Sequence, residues 1–505
     1  MQIALSRVAA VAAVTALGVG GCSGSGSTGS GSGSSGLNGG SKATGKTGDA
    51  GAPAGASLSG KVPSGFANAT TWSTQVAWGD RGVGKAALDL HGHGVSNWVV
   101  AEQQGSFGVV RTVGTSVVVP SFASGGAAGP VAATLKFLDA KTGKPIAEKK
   151  LPSGTFLGLD ADVVAGKPVA VVRYLPAQDD ASPVVVVFDA SGAQVWSTEG
   201  KQVAGTSPWS GGLQDGENGE GLLVGGYALR LNIGKDTSDH TDATYDVVDT
   251  TGKSVLHVPL YADKWDMNSV NIVQGYAVVS YDDSLSLPDT STAKEHFTVY
   301  DLSAAGKKVA EVAEKDSGGV SNAVALAASG GKILLTWLGS GTGAMPPTLM
   351  TVLDTATGQA TPPAPLPGAV TDFGTLIDPA TKNVLFFDRA DPPTDSSAMV
   401  SLSQGTVLWT QHDQHSSLIP LSMHNGVVYG IEAAELGSSD GNQLAVKEAD
   451  GSPVDTDYEL SPLDFTADGA PLFAEASDGS ESDSGSSDSS GSGTYTVTVG
   501  VGHGA

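Results

Sequence analysis

The sequence predicts an all-β fold, a β-propeller with eight blades as the favoured count and seven as the alternative. Three observations lead there. A strand–turn–strand unit recurs seven times, its turn glycines repeat with a mean period of about 51 residues, and no comparably long helical pattern competes with the short β-branched runs. Such a period holds four short strands and their loops, and four-stranded units repeated around a ring are propeller blades.

Each unit is a β-rich run ending in Asp, a turn carrying Gly, and a second strand. The runs are 135–139 before Gly143, 185–189 before Gly192, 245–249 before Gly252, 298–301 before Gly306 and 351–354 before Gly358. Two looser copies are 400–402 before Gly405 and 444–446 before Asp450 and Gly451. The grammar has a physical basis: an Asp side chain caps the turn, and Gly supplies the positive φ that other residues resist. Other expected strands lie at 168–174, 276–281, 332–337 and 426–430.

Beyond Gly451, residues 470–474 and the alternating run 494–499 start a further blade with no turn copy after it. A ring must hide its edge strands. The N-terminal run 71–78 is therefore expected to close the last blade, with the acidic Ser/Asp/Gly tract 477–493 as a disordered insertion within it.

The chain's start points to location. Arg7 is followed by the apolar run 8–19, shorter than the ~20 residues of a membrane-spanning helix, so residues 1–21 are expected to be an export signal. Val19, Gly20, Gly21 and Cys22 resemble the lipobox of bacterial lipoproteins. That resemblance implies acylation of Cys22, which becomes the new N-terminus on the outer face of the cell membrane. Residues 22–60, almost all Gly, Ser, Ala and Thr, form a flexible tether reaching roughly 35 Å, and 61–505 form the propeller.

Composition narrows the partners. Lys and Arg number 27 against 52 Asp and Glu, a formal charge of −25, which argues against nucleic acid because phosphate neutralisation needs clustered cations. Anionic lipid is repelled too, and the acidity reads as a solubility device. Cys22 is the single cysteine, so no intrachain disulfide is available.

The turn Gly followed four residues later by Trp or an apolar residue resembles the pyrroloquinoline-quinone-type propeller repeat. Trp196 and Trp409 hold that position, Leu256 is an aliphatic substitute, and Ala147, Ala310, Pro362 and Asp455 depart from it. The resemblance spans about 107–460. It implies that Trp196 and Trp409 pack neighbouring blades together rather than stack on a ligand. It also raises a quinoprotein dehydrogenase, which would hold its quinone with calcium. Those enzymes carry adjacent cysteines beside the cofactor, which this chain lacks, and its degenerate repeats transfer no cofactor ligand.

Other constellations are weak. Residues 252–254 (GKS) resemble the end of a phosphate-binding loop, but the required preceding Gly is Val247, inside a strand. His91, His93, His412, His415 and His424 have metal-like spacing without Cys partners or a helical context. Asp236, Asp239, Asp242 and the tract around 478–489 lack the spaced pattern of a calcium loop. No catalytic, cofactor or metal residue is therefore assigned. The expected function is a lipid-anchored, monomeric binding or scaffold module with an envelope protein or glycan partner. The alternative is a propeller enzyme or ligand sensor acting on envelope glycans or peptides.

Overall fold

The computed structural model describes residues 58–79, 110–122, 131–177, 184–197, 224–237, 240–259, 261–262, 265–282, 295–316, 323–339, 347–366, 373–388, 397–411, 417–433, 443–477 and 495–504. Among them there are strands, turns and bends but no helix. Eight antiparallel blades follow one another along the chain, each running from an inner to an outer strand.

Hydrogen bonding gathers the eight blades into seven sheets, because one 20-residue strand, Pro145–Val164, serves two of them. Its first part pairs with Val131–Asp139 and completes blade 1, which starts with Arg111–Val113 and Ser116–Phe122. Gly154 pairs with both Val131 and Pro176, so the strand changes partner there and becomes the inner strand of blade 2. Lys167–Pro176, Val184–Asp189 and Gln194–Ser197 finish that blade.

Blade 3 shows Tyr227–Thr237, His240–Asp249 and Ser254–Pro259. Blade 4 runs through Trp265–Val273, Tyr276–Asp282, Glu295–Asp301 and Lys307–Ala313. Blade 5 has Val324–Ser329, Lys332–Leu338 and Thr348–Asp354, and its outer strand is split into Gln359–Ala360 and Ala364–Leu366 by Pro362 and Pro363. Proline cannot donate to a ladder, so the break falls where the sequence places two. Blade 6 is Phe373–Asp378, Asn383–Asp388, Ser397–Ser401 and Thr406–Gln411. Blade 7 is Ser417–His424, Val427–Ala433, Gln443–Lys447 and Pro453–Asp455.

Blade 8 closes the ring with both ends of the chain. Its order is Asp464–Phe465, Pro471–Ser477, Tyr495–Gly504 and then the N-terminal strand Phe66–Gly79. Run 71–78 thus completes the last blade, with Trp72 opposite Val501 and Val76 opposite Val497. The favoured count of eight is the observed one.

All seven turn glycines lead into the outer strand of blades 1 to 7, and each has positive φ, between 66° and 80°. The capping aspartates behave as their chemistry requires. Asp139 Oδ1, for example, accepts from the backbone and hydroxyl of Thr142 at 2.8 and 2.7 Å. Alternate residues of each strand face the blades on either side, which puts the core between blades. One cluster joins Val278, Phe297 and Val312 of blade 4 to Ala325, Leu335 and Trp337 of blade 5. Another joins Val352 of blade 5 to Phe386 and Val400 of blade 6.

Candidate functional site

The turn glycines are where one blade's outer strand meets the next blade. A Cβ on Gly451 would lie 3.2 Å from the Trp409 indole, whose Nε1–H donates to the carbonyl of Glu448 at 2.9 Å. The same geometry recurs where the ring closes: a Cβ on Gly143 would lie 2.5 Å from the Trp72 indole, and Trp72 Nε1–H donates to the Ala140 carbonyl at 2.8 Å. Trp72 carries the docking position into the closing blade, and the sequence hint was a Trp early in the run already chosen to complete it. Leu256 meets Gly306, and Ala147 meets Gly192. In blade 5 the contact to Gly405 comes from Thr361 rather than Pro362, because the split outer strand displaces the spacing by one residue.

Trp196 is buried but packs differently. It lies with Val169, Val171, Val185 and Val187 of blade 2 and Ala228 and Val248 of blade 3, and among the described residues no atom lies within 4 Å of a Cβ built on Gly252.

A titratable cluster occupies the turns of blades 6, 7 and 8. Asp378 ends the inner strand of blade 6 and Glu448 follows the third strand of blade 7; each is only 1% exposed. Asp378 accepts backbone N–H bonds from Ala380 and from Gly426 of the next blade, both at 2.8 Å. Glu448 Oε2 accepts from the Thr381 hydroxyl at 2.5 Å and from Asn383 Nδ2 at 2.9 Å, while its Oε1 is buried with no donor among the described residues. Burial, reinforced by the facing Asp378 carboxylate, pushes the Glu448 carboxyl up to about 7. Burial pushes Asp378 up as well, but bonds from Glu448 and the two backbone amides outweigh it and leave Asp378 low. These opposite shifts favour a protonated Glu448 beside an ionised Asp378.

His424 of blade 7 stacks on Phe465 of blade 8, with centroids 4.1 Å apart and planes 13° from parallel. Its burial disfavours the imidazolium more than nearby Asp378 favours it. A carboxyl tuned near neutrality is what general acid–base chemistry needs. Glu448 and Asp378 are instead sealed from solvent and bonded to turns, which makes them an interblade clasp.

The same device recurs at other inner-strand ends. Asp162 of blade 2 accepts from Gly225 N of blade 3 at 3.0 Å, and burial raises its carboxyl to about 6. Asp464 of blade 8 accepts from both the backbone N–H and the hydroxyl of Thr112 in blade 1, each at 2.8 Å. These carboxylates were missed in the sequence because each is an ordinary acidic residue at a strand end, and its partner lies a blade away.

Of the sites weighed from sequence, Cys22, the tether up to residue 57, Asp239, His91, His93, His412, His415 and residues 478–494 lie outside the described residues. Asp236 and Asp242 fall in paired strands of blade 3. Residues 252 and 253 form a turn and Ser254 opens a strand, with Asp249 capping through Thr251 and Lys253. No group of three or more His, Cys, Asp or Glu placed to hold a metal occurs among the described residues. A cavity of about 230 Å³ opens between the outer parts of blades 4 and 5, with Val312, Ala313, Lys315, Trp337, Thr351 and Thr361 in its lining.

No family model matches the sequence, and no curated protein is significantly similar to it. Solved structures resemble it in fold. The β-propeller domain of the trilobed protease from Pyrococcus furiosus is 10% identical, covering 69% of this chain and 98% of that one, with a TM-score of 0.35. Kuenenia stuttgartiensis hydrazine synthase is 14% identical, covering 67% and 94%, with a TM-score of 0.32. A prolyl endopeptidase structure is 12% identical, covering 74% and 54%, with a TM-score of 0.39. Similarity at this level transfers no activity.

Proposed function

We propose that this protein is a membrane-anchored extracytoplasmic lipoprotein whose propeller acts as a non-enzymatic binding or scaffold module in the cell envelope. The observation that supports this reading is how the N-terminal lead-in joins the ring. Before entering the closing strand, it is bonded to the last two blades. Ser59 donates its backbone N–H to Glu475 at 2.8 Å, and the Lys61 carbonyl accepts from Glu459 N and Leu460 N at 2.7 and 3.0 Å. Ser64 N donates to Asp455 at 2.6 Å.

A chain pulled from an acylated Cys22 would load this clip before it loads the strand ladder, as suits a ring moored by its N-terminal side. The buried carboxyls with raised proton affinity are committed to blade junctions, which suits a rigid scaffold more than a catalyst. In this reading the partner is an envelope protein or glycan, the protein is a monomer, and no nucleic acid is bound. The acidic body is held near the membrane by lipid while its charge keeps it off anionic headgroups.

The test is fractionation of cells carrying wild type or Cys22→Ala, combined with crosslinking in intact cells and pull-down of the anchored protein. The expected result is membrane association lost in the variant and a reproducible envelope partner recovered with wild type. Unchanged processing and fractionation would overturn the anchor. Turnover of envelope glycans or peptides by the purified protein would overturn the scaffold reading.

A further inference from the structure

We propose that the cavity between blades 4 and 5 is a socket for an aromatic side chain, an indole above all, presented by a peptide or protein partner. The cavity of about 230 Å³ reaches the turn at Gly358 and is walled by Val312 of blade 4 and by Trp337, Thr351, Thr361 and Pro363 of blade 5. It lies beside the position from which one blade docks on the next. Four residues after Gly306 that position holds Ala310. Among the described residues, a Cβ built on Gly358 would find within 4 Å only the Val309 carbonyl at 3.7 Å and the Ala310 Cβ at 4.0 Å. At the other turns that meet a neighbour the approach is closer: 2.5 Å at Gly143 and Gly405, 2.6 Å at Gly306, 2.9 Å at Gly192 and 3.2 Å at Gly451.

Both sides of the junction leave this space. Ala310 offers a methyl group where Trp409 and Trp72 offer an indole. Across from it, the outer strand of blade 5 pairs Ala360 with Leu353 and Ala364 with Met350. Pro362 and Pro363 fall between these two halves, with Pro363 on the cavity wall. Apolar groups that face a void forfeit dispersion contacts, which an occupant restores.

The two junctions filled by Trp show what the slot accepts. Trp409 and Trp72 each lay an indole on the turn glycine and donate to the carbonyl three residues before it. Before Gly358 the corresponding carbonyl belongs to Thr355. An aromatic ring also suits the walls better than a sugar does. The Trp337 N–H is committed to the Lys315 carbonyl at 3.1 Å, and the Thr351 hydroxyl to the Thr361 carbonyl at 2.6 Å. Sugar hydroxyls would find few polar partners left, whereas Val312, Trp337 and Pro363 give a flat ring apolar contact. Cavities of this order do take such guests, since an apolar one of about 150 Å³ binds benzene. Glu311 and Lys315, both exposed, put one charge of each sign on the solvent side, so the entrance selects for neither charge.

This inference rests on the reading of the protein as a binding module and names what its partner presents. It assumes nothing about Cys22, so binding of a probe and membrane fractionation can fail separately. The full-length chain is titrated with N-acetyl-tryptophanamide, N-acetyl-leucinamide, free indole and N-acetylglucosamine, followed by saturation-transfer NMR and calorimetry. Expected is saturable binding of the tryptophan amide at least fivefold tighter than that of the leucine amide, with no binding of the sugar. Ala310→Trp should fill the socket from within, weaken that binding at least tenfold and raise the melting temperature. Ala310→Leu installs the side chain that blade 3 carries as Leu256; it should weaken binding severalfold, and it serves if the larger replacement does not fold. No saturable binding of the tryptophan amide up to its solubility limit would overturn the proposal. So would binding unchanged by either replacement in a folded protein, a preference for N-acetylglucosamine, or binding of indole that excludes the amide.

Discussion

Replacing Glu448 by Gln tests the clasp between blades 6 and 7 quantitatively. The carboxyl moves from an ordinary 4.5 to about 7 in the folded protein, and each tenfold gain in proton affinity is worth about 1.4 kcal/mol. The folded state therefore binds this proton more tightly than the unfolded chain does. Its contribution is fully present below pH 4.5 and is lost as pH rises through about 7. For a group only 1% exposed, the loss amounts to roughly 3 kcal/mol by pH 8. Gln mimics the neutral acid: its carbonyl can accept from Thr381 and Asn383, while its amide N–H donates toward Asp378. Urea unfolding of both proteins from pH 5 to pH 8 should give curves that diverge as pH rises, with Glu448→Gln the more stable at pH 8. Parallel curves for the two proteins would refute the raised proton affinity of Glu448.

Trp409→Ala removes an indole packed on the Gly451 turn and its bond to the Glu448 carbonyl; a loss of about 2–3 kcal/mol in urea unfolding is expected, and no change would deny it a packing role. Gly143→Ala and Gly166→Ala form a matched pair, since both backbones have positive φ but only the first would drive a Cβ to 2.5 Å from an indole. The second should cost only about 1 kcal/mol of left-handed strain and the first about 2 kcal/mol more; equal costs would remove Trp72 from the closure. Asp455→Asn weakens the acceptor for Ser64 N and should cost about 1–2 kcal/mol, with faster proteolysis before Phe66 as the readout. Burial pushes the Asp455 carboxyl up, but the Ser64 and Asp457 bonds outweigh it and hold it low. Its contribution is therefore present above the ordinary carboxylate range and lost as pH falls through the lowered value, a slope that the Asn variant should lack.

Local chemistry and its period are written along the chain. A positive-φ Gly, with an Asp cap in every turn but the one at 400–405, is decided within five or six residues, so all seven turns were legible, and with them the blade length and the count. The need to hide edge strands was enough to pick 71–78 as the run that closes the ring. What crosses from one blade to the next depends on the assembled ring. Pro145–Val164 serves two blades: its first ladder shifts register around Pro152, and from Gly154 onward the strand pairs with the next blade. Thr361 replaces Pro362 at the docking position because paired prolines break the outer strand.

Glu448 and Asp378 stand 70 positions apart in the chain, each at an unremarkable turn. Only the stacking of blade on blade withdraws them from water and raises one carboxyl toward neutrality. Desolvation depends on everything packed around a group, and a propeller draws that packing from neighbouring blades rather than from neighbouring residues.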